Sequence, residues 1–199
     1  MIAARHSVSS PDAVLAVVNR GGAYFDTGFV LGDYMTLEVC FLVPDGASFN
    51  GHLLCGHTGG ENDSRDFRMF FHAEQVYLDA GGLPNGGGAR GAVHISRGEW
   101  HTALGPVGGH FVVDGSVVWS DPYAADGGYG VNGMSMIVFG DSKDSQTSAI
   151  RYITVTRYGT GEILCDLWPD RRGGFVDRVS KRLILPSAGS VDVVDWRKV

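Results

Sequence analysis

Cysteine is scarce. The chain has three among 199 residues, Cys40, Cys55 and Cys165, each in an apolar run. An odd, low count excludes a disulfide framework. The thiols read instead as small buried hydrophobes of a protein folded under reducing conditions. Basic clusters are lacking as well. Net charge is -6, and Arg171-Arg172 and Lys181-Arg182 are isolated doublets, which speaks against nucleic acid or an anionic membrane as partner, since both demand clustered cations. No run approaches the roughly 18 apolar residues of a membrane-spanning helix. Residues 14–18 are too short for the apolar segment of a secretory leader, and Pro11 and Asp12 stand where a basic segment would lead in. The expectation is a soluble chain; if it acts outside a cell, it gets there by lysis, by assembly into a particle, or by a secretion route that the sequence does not show. Convincing helical periodicity is missing, and no tandem repeat of fixed period occurs, which excludes a propeller or solenoid.

What the sequence has in excess is glycine, thirty residues of 199, about twice the usual share of roughly 7%. Glycines scattered between short apolar runs mean many tight turns and many short strands. Strands are expected over 13–18, 23–31, 36–43, 52–57, 67–72, 75–78, 92–95, 99–104, 110–113, 116–119, 134–139, 150–158, 163–168, 183–185 and 191–196. A helix capped by Ser10 with Pro11 in its first turn is the rival for the opening run; six apolar residues before Asn19-Arg20-Gly21-Gly22 make a poor one. Along 36–43 the alternation is clean, with Leu37, Val39, Phe41 and Val43 on one face and Thr36, Glu38, Cys40 and Leu42 on the other. Asp114-Gly115 between two apolar runs is the strongest hairpin signal, because a type I′ turn needs positive φ at both centre positions. Residues 81–91 read as a glycine-rich loop and 120–133 as a long one. The pattern specifies one all-β domain over 1–199, a two-sheet antiparallel β-sandwich of jelly-roll type with little or no helix.

Two segments carry a resemblance. Residues 14–30, VLAVVNRGGAYFDTGFV, are similar to the opening of a concanavalin-A-like, laminin-G-like jelly-roll family of phage and prophage proteins, with Tyr24-Phe25-Asp26-Thr27-Gly28 as its landmark. Residues 151–185 resemble its closing pattern at Asp166, Trp168, Pro169, Gly174, Asp177 and Val179, with the aromatic one residue later than usual. Trp100-His101 and Val113-Asp114-Gly115 resemble further landmarks in between. These motifs mark turns and core positions rather than a reaction centre. The resemblance implies a binding or virion-associated role, such as a capsid decoration, a tail fibre or a sugar-binding module; fold by itself does not choose among them.

Candidate chemistry is sparse. Glycoside hydrolysis needs two carboxylates roughly 5 to 9.5 Å apart, and no strand carries alternating acids; Glu38 is the only acid inside its strand. His52, Cys55 and His57 are zinc-type ligands, but His52 alternates to the opposite side from the other two. Calcium has better oxygen donors in the loops, at Asp63 and Asp66 and at Asp141 and Asp144; laminin-G-like relatives often place one calcium in rim loops. Trp100-His101 reads as a core tryptophan beside a half-buried histidine. No nucleophile elbow or phosphate loop occurs. For sugar, the segment with Trp119, Asp121, Tyr123, Asp126, Tyr129 and Asn132 combines rings that stack on sugar faces with acceptors for their hydroxyls, on a loop where binding residues concentrate.

The expected function is therefore non-enzymatic: a phage virion-associated module, assembled in the host cytoplasm, that contacts virion proteins or surface glycans, with no cofactor beyond calcium. It would work as a homo-oligomer or as arrayed copies. The alternatives are a glycan-degrading enzyme of this fold and a secreted, extracellular lectin.

Overall fold

A computed structural model describes residues 14–32, 34–48, 50–56, 67–80, 89–107, 110–120, 135–140 and 147–199. They form sixteen strands: β1 (Leu15–Asn19), β2 (Phe25–Val30), β3 (Met35–Leu42), β4 (Asn50–Gly56), β5 (Phe67–His72), β6 (Gln75–Ala80), β7 (Ala89–His94), β8 (Trp100–Val107), β9 (His110–Val113), β10 (Ser116–Ser120), β11 (Ser135–Val138), β12 (Ser148–Arg157), β13 (Ile163–Asp170), β14 (Gly174–Asp177), β15 (Arg182–Ile184) and β16 (Val191–Asp195). A 3-10 turn, Trp196–Lys198, follows the last strand. All pairings between strands are antiparallel. One sheet has the order β2-β11-β4-β5-β6-β7; the other runs β10-β9-β8-β3-β12-β13-β14-β15. The ten-residue β12 serves two neighbours on one flank, β1 at Ser148, Ala149 and Ile150 and β13 at residues 153–156. Beyond β1 lies β16. The chain is thus an all-β jelly-roll sandwich.

The alternation in β3 decides which face is core. Leu37, Val39, Phe41 and Val43 are at most 2% exposed and pack with Ile153, Val155, Leu167 and Phe175 against Phe25, Leu54, Met69, Phe71 and Val138 of the facing sheet. Two aromatic contacts bridge the sheets: Phe25 edge-on to Phe175 at 5.1 Å, and Phe41 to Phe71 at 5.4 Å. All three cysteines are free and buried; burial pushes the Cys40 thiol up to about 11 and the Cys165 thiol up to about 12, so neither is a reactive thiolate.

Between the expected strands 67–72 and 75–78, Ala73-Glu74 turns a hairpin with both residues at positive φ (49° and 63°), and the expected hairpin forms at Asp114-Gly115 (50° and 78°). Three expectations need correction. Ala89, Arg90 and Gly91, read as loop, belong to β7, where they pair with Ala80, Asp79 and Leu78. Ser120 ends a strand rather than opening a loop. Gly174–Asp177, where no strand was expected, is a strand between β13 and β15; its single leading glycine permits close strand approach rather than a turn.

The landmark Asp26-Thr27-Gly28 is structural. The Thr27 hydroxyl donates to the Met136 carbonyl (2.8 Å), the Gly28 amide donates to Asp26 Oδ1 (2.9 Å), and the β2–β11 ladder slips register there.

Candidate functional site on the outer face of the larger sheet

Inward-facing Ile153 and Val155 of β12 alternate with outward-facing Tyr152, Thr154 and Thr156. The ladder sets what lies beside each. Thr154 pairs with Glu38 of β3 on one side and with Asp166 of β13 on the other. Three polar side chains therefore stand in one row across three adjacent strands, with the two carboxylates two strand spacings apart, about 9.5 Å between backbones. The next row holds Thr102, Cys40, Tyr152 and Trp168.

Hydrogen bonds lock this grid. The Tyr152 hydroxyl donates to Glu38 Oε1 at 2.7 Å. Asp166 Oδ1 accepts from Thr154 Oγ1 at 3.1 Å and from Trp168 Nε1 at 2.8 Å. The Asp166 amide donates to Asp177 Oδ1 at 3.0 Å, and Asp177 also accepts the amides of Val179 and Ser180, which fixes the turn after β14. The rings of Tyr152 and Trp168 stack at 5.3 Å with an interplanar angle of 24°, and the Arg178 guanidinium lies 4.1 Å over the Trp168 ring. Trp168 is buried; Tyr152, Glu38, Asp166 and Arg178 are half-buried. Trp168 is covered by Tyr152 and by Arg178, so that indole offers its edge and the polar groups beside it rather than a face. Each carboxylate keeps one oxygen free of the bonds just described.

Burial, reinforced by the hydrogen bond to Glu38 and its charge, pushes the Tyr152 phenol well above its ordinary 10. A phenol raised on folding favours the folded state while protonated: its contribution is fully present below about pH 10 and is lost as pH rises further. Tyr152→Phe is thus expected to flatten the loss of stability above pH 10, seen as a shallower fall of the denaturant midpoint between pH 9 and 11 than the native chain shows.

A Ser-His-Asp look-alike lies elsewhere. His101 Nδ1 is 2.7 Å from Asp114 Oδ2, and Ser96 Oγ is 3.4 Å from His101 Nε2. The same Nε2 faces the Ser96 carbonyl at 2.9 Å, and the Ser96 hydroxyl donates to Glu99. Both ring nitrogens therefore meet acceptors, and the hydroxyl is turned to Glu99 rather than to His101, so the triad arrangement is not formed. His101 ties the β9–β10 hairpin to β8: Asp114 also accepts the Thr102 amide at 2.8 Å. The expectation for Trp100-His101 is corrected here. His101 is the buried, inward residue, against Phe41 at 5.8 Å; half-buried Trp100 packs outward with Val18, Leu42 and Ala149. The alternation continues from β3, where inward Phe41 pairs with His101.

Of the sequence-predicted site residues, Asp121, Tyr123, Asp126, Tyr129 and Asn132 lie outside the described residues, as do Asp63, Asp66, Asp141, Asp144 and His57. Trp119 is on the edge strand β10, its backbone opposite Phe111. Among the described residues no three His, Cys, Asp or Glu side chains gather to hold a metal ion. The outer-face grid was not singled out beforehand. Its signal was the alternation of 152–156, which extends to β12 the pattern read along β3.

No family model and no curated protein matches the chain. Solved structures do. A native heptameric SAP-like pentraxin from Limulus polyphemus aligns with a TM-score of 0.51 at 10% identity, over 75% of this chain and 79% of that one. The CBM40 of the Ruminococcus gnavus IT-sialidase, solved with α2,3-sialyllactose, aligns at 0.55 and 11%, over 73% and 92%. A candidate carbohydrate-binding protein from Bacteroides ovatus aligns at 0.59 and 11%, over 92% of this chain and 60% of that one. At such identities the likeness is one of architecture, and what the chain shares with these proteins is their sandwich fold.

Proposed function

We propose that the chain is a non-catalytic glycan-binding module and that the outer face of the larger sheet is its binding face. The observation that carries this reading is the fixed row Glu38–Thr154–Asp166 beside the Tyr152–Trp168 stack. Two carboxylates and a hydroxyl, held in place on rigid strands, are complementary to an array of sugar hydroxyls. The reading is supported by two neighbours of the same fold that are themselves described by carbohydrate binding. The segment 119–132, with Trp119, Asp121, Tyr123, Asp126, Tyr129 and Asn132, is a proposed second contact region. The test is a glycan array combined with a reducing-sugar assay on every glycan bound. Retention without release is expected; release abolished by Glu38→Gln would make the chain a hydrolase.

That hydrolase reading has one observation in its favour. Glu38 and Asp166 stand on one face with their backbones about 9.5 Å apart, a scale comparable with the roughly 6.5–9.5 Å between the carboxyl groups of inverting glycosidases. Against it, each carboxylate commits an oxygen to holding neighbouring side chains.

A single shallow site binds weakly, because association costs several kcal/mol before net affinity appears. Repetition offsets this, raising avidity by roughly 10²–10⁴. We therefore keep the phage particle, with the module in arrayed copies, as the proposed setting, to be examined by light scattering of the isolated chain and copy counting in its source.

A further inference from the structure

The ladder between β12 and β3 slips register between Ile150 and Tyr152. Ile150 and Ile153 both face the core, so the two residues between them, Arg151 and Tyr152, both point outward. Bulges re-aim side chains and recur beside functional sites. This one adds a guanidinium to the aromatic row of the grid. Arg151 lies 4.3 Å over the Trp196 ring and 5.8 Å from that of Trp100, and the two indoles meet edge-on at 6.3 Å. Its Nε is buried without a hydrogen-bond partner, and no carboxylate pairs with it among the described residues. Asp192, on the neighbouring β16, is taken by Arg20 at 2.8 Å.

Arg178 repeats the arrangement at the other end of the stack. Its guanidinium lies on Trp168, and its backbone amide donates to the Asp166 carbonyl. Thus two arginines, Arg151 on Trp196 and Arg178 on Trp168, are each laid on indole in a chain of net charge -6. The Arg151 guanidinium is half-buried and without an ion pair among the described residues, and its Nε is closed to solvent, so a partner would meet its Nη groups; a charge held this way is costly until such a partner arrives. The geometry points to an anionic partner. Stacking fixes the plane of the guanidinium, and the fork of N–H groups that results matches a planar carboxylate bidentately.

We infer that the Arg151–Trp100–Trp196 cluster is a subsite for the carboxylate of an acidic sugar, whose hydroxyls reach the Glu38–Thr154–Asp166 row. This rests on the glycan-binding reading and narrows it to carboxylate-bearing glycans. In the acid-free case the row would take neutral sugars alone, and Arg151 would serve only to pack Trp100 and Trp196.

The experiment uses matched oligosaccharide pairs that differ only at one carboxylate, for example cellobiose against cellobiouronate and carboxyl-reduced α2,3-sialyllactose against α2,3-sialyllactose itself, titrated into the full chain by calorimetry. At least one acidic member is expected to bind ten- to a hundredfold tighter than its neutral partner, in the range of a charge-assisted hydrogen bond. Arg151→Gln should erase that ratio while leaving the neutral partner's affinity as it was. Arg151→Lys, which keeps the charge and loses the planar fork, should retain only part of it; its melting curve checks that the Trp100–Trp196 packing survives. Equal affinity for acidic and neutral members, or a preference that Arg151→Gln leaves intact, overturns the subsite and leaves the glycan reading standing. Binding of no member of any pair overturns both.

Discussion

Gly174→Ala is expected to cost about 3 kcal/mol, the upper end of what overpacking a well-filled site does. A Cβ at position 174 would stand 2.1 Å from the Ile184 carbonyl oxygen and 3.1 Å from its carbon. Both belong to the backbone of β15, which the ladder holds from Phe175↔Ile184 to Asp177↔Arg182, so the clash cannot be relieved by turning a side chain. Either β15 separates from β14 or the turn before Gly174 is rebuilt. The consequence reaches the site, because β14 also positions Asp177, whose carboxylate accepts the Asp166 amide. For a chain of this size the melting midpoint should fall by roughly 6–12 °C. Gly32→Ala is the control: the nearest atom to its added Cβ is the flexible end of Met35 at 3.7 Å, and the change should stay within about 0.5 kcal/mol. Differential scanning calorimetry of both variants measures the contrast.

The second large effect is on binding. Asp166→Asn keeps an oxygen for Thr154 and Trp168 but replaces the other acceptor with a donor and removes the charge. A charge-assisted hydrogen bond is worth about 1.5–3 kcal/mol, so glycan affinity should drop roughly ten- to a hundredfold while the melting midpoint moves little. The same loss is expected for Glu38→Gln, with the bond to Tyr152 preserved. Paired calorimetry and thermal melts separate this from unfolding: a variant that loses affinity only in proportion to lost stability speaks against a contact with ligand.

The architecture was legible because it is written in local chemistry. Ala73-Glu74 and Asp114-Gly115 announce their hairpins, and the alternation of 36–43 names the core face of β3 without further help. What was lost is equally specific. Gly174–Asp177 is four residues, too short for a period, and its leading glycine reads as a turn unless one knows that another strand passes against it. The grid escaped because its members are distant in sequence. Glu38, Thr154 and Asp166 become neighbours only through the β3–β12–β13 ladder, and searching single strands for alternating acids cannot find carboxylates contributed by two different strands. Arg151 escaped for a related reason: strict alternation predicts that it and Tyr152 face opposite ways, and a bulge is invisible to a period of two.

The central claim is that ligand meets the outer face of the larger sheet. It is tested most directly by nuclear magnetic resonance titration of the labelled chain with the tightest glycan from the array. The Trp168 indole proton is the reporter, since it is donated to Asp166. The account predicts that this proton, with the amides of residues 36–40, 152–156 and 164–168, shifts on saturation. Shifts confined to the smaller sheet or to residues 119–132, with the Trp168 indole unmoved, would contradict it.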